Sequence, residues 1–280
     1  MSGTDAGHCP GGSTATTTAP GTTPWIRCFH PKPAARHTLV CFPHAGGSAS
    51  YYFGLSAALD PDIEMVVIQY PGRENRLFEE PADSVAALAD GVYEALSPRL
   101  SRRPAFFGHS MGGLIGFEVA RRLESAGGPA PHVLVASASQ APSVRTERPA
   151  AGQGVPRSDA EADDAVLTRI MGLGGTRDGV RQDPELLRLV LPAIRADLRA
   201  LEGYRLDEGA AVRCPVTVFV ADGDPDAPLA EAGAWGAHTT ADAAVHVFGG
   251  GHFYFSENPP EFTGLLQDTV RHSHPGTQRV

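Results

Sequence analysis

The stretch Ala105-Phe106-Phe107-Gly108-His109-Ser110-Met111-Gly112-Gly113-Leu114 decides how this sequence folds. Ala105 to Phe107 read as a short buried strand, and Leu114, Phe117 and Leu123 recur at helical spacing behind the glycines at 112 and 113, where the helix is expected to begin. Between them, Gly108-His109-Ser110-Met111-Gly112 falls on a sharp strand-to-helix turn. Glycines on either side of Ser110 let the strand and the helix approach closely, which pushes the serine hydroxyl out at the carboxyl end of the strand. There a helix N-terminus favours developing negative charge. G-x-S-x-G alone is a weak pattern; its place between strand and helix makes Ser110 a candidate nucleophile.

On both sides of this turn, short apolar runs alternate with longer helical periods. The runs Thr38 to Phe42, Met65 to Gln69, Ala105 to Phe107, His132 to Ala136, Val216 to Val220 and Val245 to Phe248 suit strands covered on both faces. Val85, Leu88, Val92 and Leu96 mark a helix behind Asp83 as its cap, and Asn258-Pro259-Pro260 opens another that carries Phe262, Leu265, Leu266 and Val270. The expectation is an α/β fold with a mostly parallel central sheet flanked by helices. Between Gln140 and Leu206 no strand pattern occurs, only helical periods at Val166 to Met171 and Pro184 to Leu201. Residues 141–206 are therefore expected to be a helical lid insertion, with Leu186, Leu187, Val190, Leu191, Ile194, Leu198 and Leu201 as its apolar face.

A chain of 280 residues, 42% of them hydrophobic, can bury one sizeable core, so a single domain over 25–280 is expected. Residues 1–24 contain no Leu, Ile, Val or Phe and read as a disordered tail. A net charge of -9 lacks the basic footprint of a nucleic-acid binder or of a protein drawn to anionic membranes. Neither a secretory leader nor a run of about 18 apolar residues is visible, which leads us to expect a cytoplasmic monomer. The four cysteines, Cys9, Cys28, Cys41 and Cys214, show no metal-ligand spacing and are expected to be buried thiols. No metal or organic cofactor is indicated.

A serine hydroxyl needs a base to take its proton. Of the eleven histidines, His252 follows the run Val245 to Phe248 and the bend Gly249 to Gly251, which can carry it back over the sheet edge. His109 lies inside the turn itself, and His246 lies within a strand. The acid that orients the base should follow Val216 to Val220, where Asp222, Asp224 and Asp226 all occur. Asp224 is favoured, with the other two as solvated or turn-capping groups. The order Ser110, Asp224, His252 is the one expected of a nucleophile on such a strand-to-helix elbow. Oxyanion donors should be the backbone N–H of Met111 and one from Phe42-Pro43-His44-Ala45-Gly46-Gly47, where Ala45 is the candidate and His44 a loop-ordering residue.

Together, FPHAGG (42–47), YPGRENR (70–76), GHSMGG (108–113), DGDPD (222–226) and GGHFYF (250–255) resemble the type II thioesterases, editing hydrolases of polyketide and nonribosomal-peptide assembly lines. The resemblance implies an α/β-hydrolase fold and a stand-alone thioesterase acting on acyl groups carried by the phosphopantetheine arm of acyl or peptidyl carrier proteins. It places the triad at Ser110, Asp224 and His252. Ala221, where such enzymes commonly have glycine, and the Thr-rich tail depart from the pattern. Asp83-Ser84-Val85 is similar to the serine site of a carrier protein, but a helix start explains it. Because carriers are acidic and this chain is acidic too, a docking patch would draw on arginines such as Arg73, Arg76, Arg145 and Arg148. A small-molecule ester or lactone hydrolase, or a non-catalytic carrier-binding protein, would use the same scaffold.

Overall fold

Alternate residues of the central strands go to opposite faces of one sheet, as a strand's period of two requires. Val40, Phe42, Phe106, Leu134, Ala136, Val218 and Val220 pack into one apolar layer, while Leu39, Cys41, Phe107, Val133, Val135, Phe219 and Ala221 pack into the other. In a computed structural model, which describes residues 23–147, 183–257 and 259–272, these strands form a seven-stranded sheet. They are β1 (Ile26–Arg27), β2 (His37–Phe42), β3 (Ile63–Ile68), β4 (Ala105–His109), β5 (Val133–Ser137), β6 (Val216–Ala221) and β7 (Ala243–Phe248). The order is β1-β3-β2-β4-β5-β6-β7, and only β1 runs antiparallel to its neighbour. The six strands expected from the sequence are all present. The two-residue β1 is an addition, too short to show any periodicity.

The helices are α1 (Phe53–Ala58), α2 (Val85–Leu96), α3 (Met111–Ser125), α4 (Pro142–Glu147), α5 (Pro184–Gly203), α6 (Tyr254–Glu257) and α7 (Pro259–His272). Val85, Leu88 and Val92 of α2 and Leu114, Ile115 and Phe117 of α3 seal one face of the sheet, while Phe262, Leu266 and Val270 of α7 seal the other. Two helix starts differ from expectation. Ser84, not Asp83, caps α2: its backbone is extended and its hydroxyl accepts the Ala87 N–H at 3.2 Å. This capping bond also accounts for the serine that looked like a carrier motif. Helix α3 begins at Met111, so Gly112 and Gly113 lie inside its first turn instead of before it.

Of the insertion, α4 and α5 fall among the described residues, whereas Val166 to Met171 do not; nor do residues 1–22. Asp183 caps α5 by accepting the N–H groups of Glu185 and Leu186 at 3.0 and 3.1 Å. Leu191, Ile194 and Leu198 are buried in a small cluster of their own, flanked by Leu187 and Val190, while Leu186 is 37% exposed. Cys41 and Cys214 are buried, as expected, but Cys28 is exposed beside β1. Among the described residues no helix is long and apolar enough to cross a membrane. Replacing the cap, Ser84→Ala, leaves the Ala87 N–H without its acceptor and should lower unfolding stability by about 1 kcal/mol. Urea denaturation monitored by circular dichroism measures it, and an unchanged midpoint would discard the cap.

Candidate active site

Parallel pairing sets the carboxyl ends of β2, β4, β6 and β7 along one edge of the sheet, and the loops leaving those ends carry every residue of the candidate site. Ser110 follows β4 with φ 54° and ψ -120°, a left-handed backbone that a non-glycine residue adopts only when held there. Its N–H donates to the carbonyl of Ser137 at the end of β5 (2.8 Å), and its own carbonyl accepts from Gly113 (3.0 Å). The two motif glycines answer to close approach: a Cβ at Gly108 would collide with the Gly112 carbonyl, and one at Gly112 with the Phe42 carbonyl. The elbow is thus wedged against the end of β2. As first residue of α3, Met111 has a backbone N–H without an intrahelical acceptor.

His252 follows β7 and is buried; its Nδ1 lies 2.8 Å from Asp224 Oδ2. The other carboxylate oxygen of Asp224 accepts the N–H groups of Asp226 (2.9 Å) and Ala227 (3.3 Å), so backbone donors fix the acid while the imidazole takes the remaining oxygen. Asp222 is exposed and instead accepts the Gly250 N–H at 3.1 Å, closing the two loops on one another. Ala221 is a buried strand residue and does not disturb this loop. His252 Nε2 is buried and has no hydrogen-bond partner among the described residues. The ring stands 5.1 Å, centroid to centroid, from His109, the residue that precedes Ser110, so the base candidate sits beside the elbow.

Two further histidines line the site. His109 Nδ1 contacts Ser137 Oγ (3.0 Å), which meets the Tyr254 hydroxyl (2.6 Å). His44 Nδ1 contacts the Tyr52 hydroxyl at 3.0 Å, and its ring packs on Tyr51 and Phe253. A Cβ at Gly47 would meet the His44 ring at 2.7 Å. Burial pushes both imidazoles down, with a further push from His252: His44 to about 3, His109 well below its usual value. Both are therefore neutral near pH 7 and add no cation to the site.

Ala45 lies in the loop after β2, half-buried, between a His44 carbonyl that accepts the Gly47 N–H (2.9 Å) and a Gly46 N–H that donates to Asp197 Oδ2 (2.7 Å). Asp197 belongs to α5 and is fully buried, and Arg73 closes an ion pair on the same oxygen. The sequence reading missed Asp197. Its signal was a lone carboxylate inside the apolar stripe of α5, three residues after Ile194 and next to Leu198. The arginine patch needs correcting as well. Arg73 is spent on Asp197, while Arg76 is buried with its guanidinium 4.1 Å from the Trp25 ring and paired to Glu79, so neither forms a docking surface. Arg145 Nε donates to the Leu201 carbonyl, and Arg148 lies outside the described residues.

A thioesterase domain model matches residues 37–270. "Thioesterase PikA5" of Streptomyces venezuelae is 43% identical over 245 residues, covering 87% of this chain and 84% of that protein. The chain belongs to the thioesterase family. Among solved structures, the type II thioesterase BorB from the borrelidin biosynthetic cluster superposes with a TM-score of 0.77 at 40% identity, covering 88% of this chain and 97% of its own. YbtT, a type II thioesterase from the yersiniabactin NRPS/PKS biosynthetic pathway, gives 0.75 at 28% identity, covering 90% and 100%. The thioesterase is a thioester hydrolase on an α/β-hydrolase fold.

The neutral histidines give the thioesterase a pH signature. When the chain unfolds, each imidazole returns to its ordinary value of about 6.5, so below that pH the unfolded state binds more protons than the native one. Their contribution is complete above about pH 6.5 and is lost as the pH falls below it, for His44 down to about 3, by up to about 1.4 kcal/mol per pH unit for each ring. Urea midpoints should hold steady from pH 8 to 7 and drop between 6.5 and 5; a flat profile across that window would mean that the rings carry protons in the fold.

Proposed function

We propose that Ser110, His252 and Asp224 act as nucleophile, general base and orienting acid of a thioesterase that clears acyl groups from carrier proteins. The observation that carries this reading is the His252–Asp224 pair. Backbone donors hold the acid, the acid holds Nδ1, and Nε2 is left unpartnered beside the elbow that presents Ser110. In the reaction, Ser110 Oγ attacks the thioester carbonyl while His252 Nε2 accepts the hydroxyl proton. The negative charge that develops on the carbonyl oxygen is met by the N–H groups of Ala45 and Met111, the second reinforced by the N-terminus of α3. Collapse re-forms the carbonyl and breaks the C–S bond, and the departing thiolate takes the proton from His252 to leave as the thiol, with an acyl-Ser110 ester behind it. Water, deprotonated by the same nitrogen, then releases the acid and restores the serine. Asp224 keeps the proton on Nδ1 throughout and stabilises the imidazolium, which the low-lying His44 and His109 do not oppose with charge of their own.

Because triad members act as a unit, Ser110→Ala and His252→Ala should each lower kcat by about 10⁴-fold or more, with folding unchanged by circular dichroism. Asp224→Asn should be far more damaging than Asp222→Asn. The reverse ranking would move the acid to Asp222.

Substrate class rests on what the chemistry leaves unspecified. A thioester is electrophilic and its thiol leaves readily, so the reacting centre selects little among acyl groups. Selection falls to remote contacts, whose binding energy can be expressed as rate. The relatives' origins in a borrelidin cluster and an NRPS/PKS pathway support an acyl or peptidyl carrier protein as bearer of the thioester, and an editing role on stalled acyl groups. We expect a higher kcat/KM for an acyl-carrier protein than for the same acyl group on N-acetylcysteamine, compared at one pH and low salt. Equal efficiency on the two would favour a general esterase.

A further inference from the structure

The contacts of Asp197 go beyond packing. A buried ion pair seldom repays its desolvation, and apolar residues of similar volume often replace it without loss. Among the described residues this pair also leaves Arg73 Nε and Asp197 Oδ1 without hydrogen-bond partners, so the arrangement is a poor way to stabilise a fold. What it does achieve is an acceptor for a single loop N–H. The loop His44 to Gly47 is a tight turn closed by the Gly47 N–H on the His44 carbonyl, and Gly46 sits at φ 74°, the left-handed value that the third residue of a type II turn takes. In such a turn the central peptide, between Ala45 and Gly46, can face either way at modest cost. A carboxylate that accepts the Gly46 N–H selects one orientation, because the other would aim the Ala45 carbonyl at it.

Ala45 is thereby flanked by two planar peptides, each pinned by a hydrogen bond: the one before it through Gly47, the one after it through Asp197. Arg73 supports the carboxylate and is itself tied down. Its Nη1 donates to the Pro71 carbonyl at 2.8 Å, and its guanidinium lies 5.2 Å from the centre of the Tyr70 ring. The Tyr70 hydroxyl reaches back to the Pro43 carbonyl at 3.4 Å. Gly72, between them, packs closely on Pro81, whose Cγ a Cβ there would meet at 2.6 Å, and lies within ordinary contact of α5, with Ala193 Cβ at 3.4 Å. The turn Tyr70 to Arg73, the loop after β2 and α5 thus form one contiguous contact.

We propose that Asp197, held by Arg73, is a positioning residue for the oxyanion loop: by fixing the Ala45–Gly46 peptide it keeps the His44–Gly47 turn in one form, and that turn holds the Ala45 N–H, carried by the His44–Ala45 peptide, toward the reacting carbonyl. The inference rests on Ala45 being an oxyanion donor. It makes α5 part of the apparatus that supports catalysis, with Asp197 acting through the Gly46 N–H.

The test separates the acceptor from the ion pair. In Arg73→Met/Asp197→Asn no charge is stranded and the amide oxygen still accepts the Gly46 N–H; in Arg73→Met/Asp197→Ala the charges are equally absent but the acceptor is gone. Rates are measured on propionyl-N-acetylcysteamine and normalised by fluorophosphonate titration of the serine, so that only folded sites count. The alanine pair should lose kcat by about 10²-fold, since small misplacement of a catalytic group costs that much. Its KM should stay within about threefold, and affinity for an alkyl trifluoromethyl ketone, which forms an oxyanion on the enzyme, should fall in parallel with kcat. The asparagine pair should stay within about fivefold of the parent on every measure. Equal kcat for the parent and both pairs, or equal losses in the two pairs, would overturn the positioning role. Activity remaining in Ser110→Ala would instead overturn the catalytic reading on which it rests.

Discussion

The backbone of Ser110, at φ 54° and ψ -120°, is the constraint to which the neighbouring structure answers. Such a conformation costs on the order of 1–3 kcal/mol and persists only where surrounding contacts determine it. Those contacts come from three strands. Its N–H is taken by the carbonyl of Ser137 at the end of β5, Gly112 lies against the carbonyl of Phe42 at the end of β2, and β4 delivers the chain into the turn. The parallel register of β2, β4 and β5 is what brings these groups to one edge, so the elbow is a product of the whole central sheet.

The same edge explains how residues far apart in the chain become one device. Loops leaving β2, β4, β6 and β7 carry Ala45, Ser110, Asp224 and His252; each is closed by hydrogen bonds of its own, and the loops after β6 and β7 are also bonded to one another. Asp224 accepts from Asp226 and Ala227, and Asp222 accepts from Gly250. Preorganisation of this kind lets donors and acceptors act without rearranging during the reaction.

Around the candidate reacting centre the side chains are buried and largely aromatic. Phe253, Tyr52 and Phe255 pack with His44 and His109, and burial keeps both imidazoles neutral. Among the described residues, each buried carboxylate there has a partner, Asp224 in the His252 ring and Asp197 in the Arg73 guanidinium. In such surroundings a hydrogen-bond donor aimed at a developing oxyanion is worth more than it would be in water.

The six longer strands, the elbow at Ser110 and the candidacy of His252 as base were legible in the sequence alone, because each is written in local pattern: apolar runs, strand-turn-helix context, glycines beside the candidate residue. The sequence favoured Asp224 over Asp222 and Asp226 as the candidate acid without any contact to support the choice, and in the fold it is the Asp224 carboxylate that the loop turns inward onto His252. It placed the cap of α2 one residue early, since Asp83 and Ser84 are both good caps and only the backbone angles at Ser84 decide between them. It took Arg73 and Arg76 for surface groups because side-chain charge predicts exposure on average. Their burial depends on Asp197 and Trp25, partners 124 and 51 positions away for Arg73 and Arg76 respectively. Long-range pairing of buried polar groups leaves no periodic trace in a sequence, and only the tertiary structure decides it.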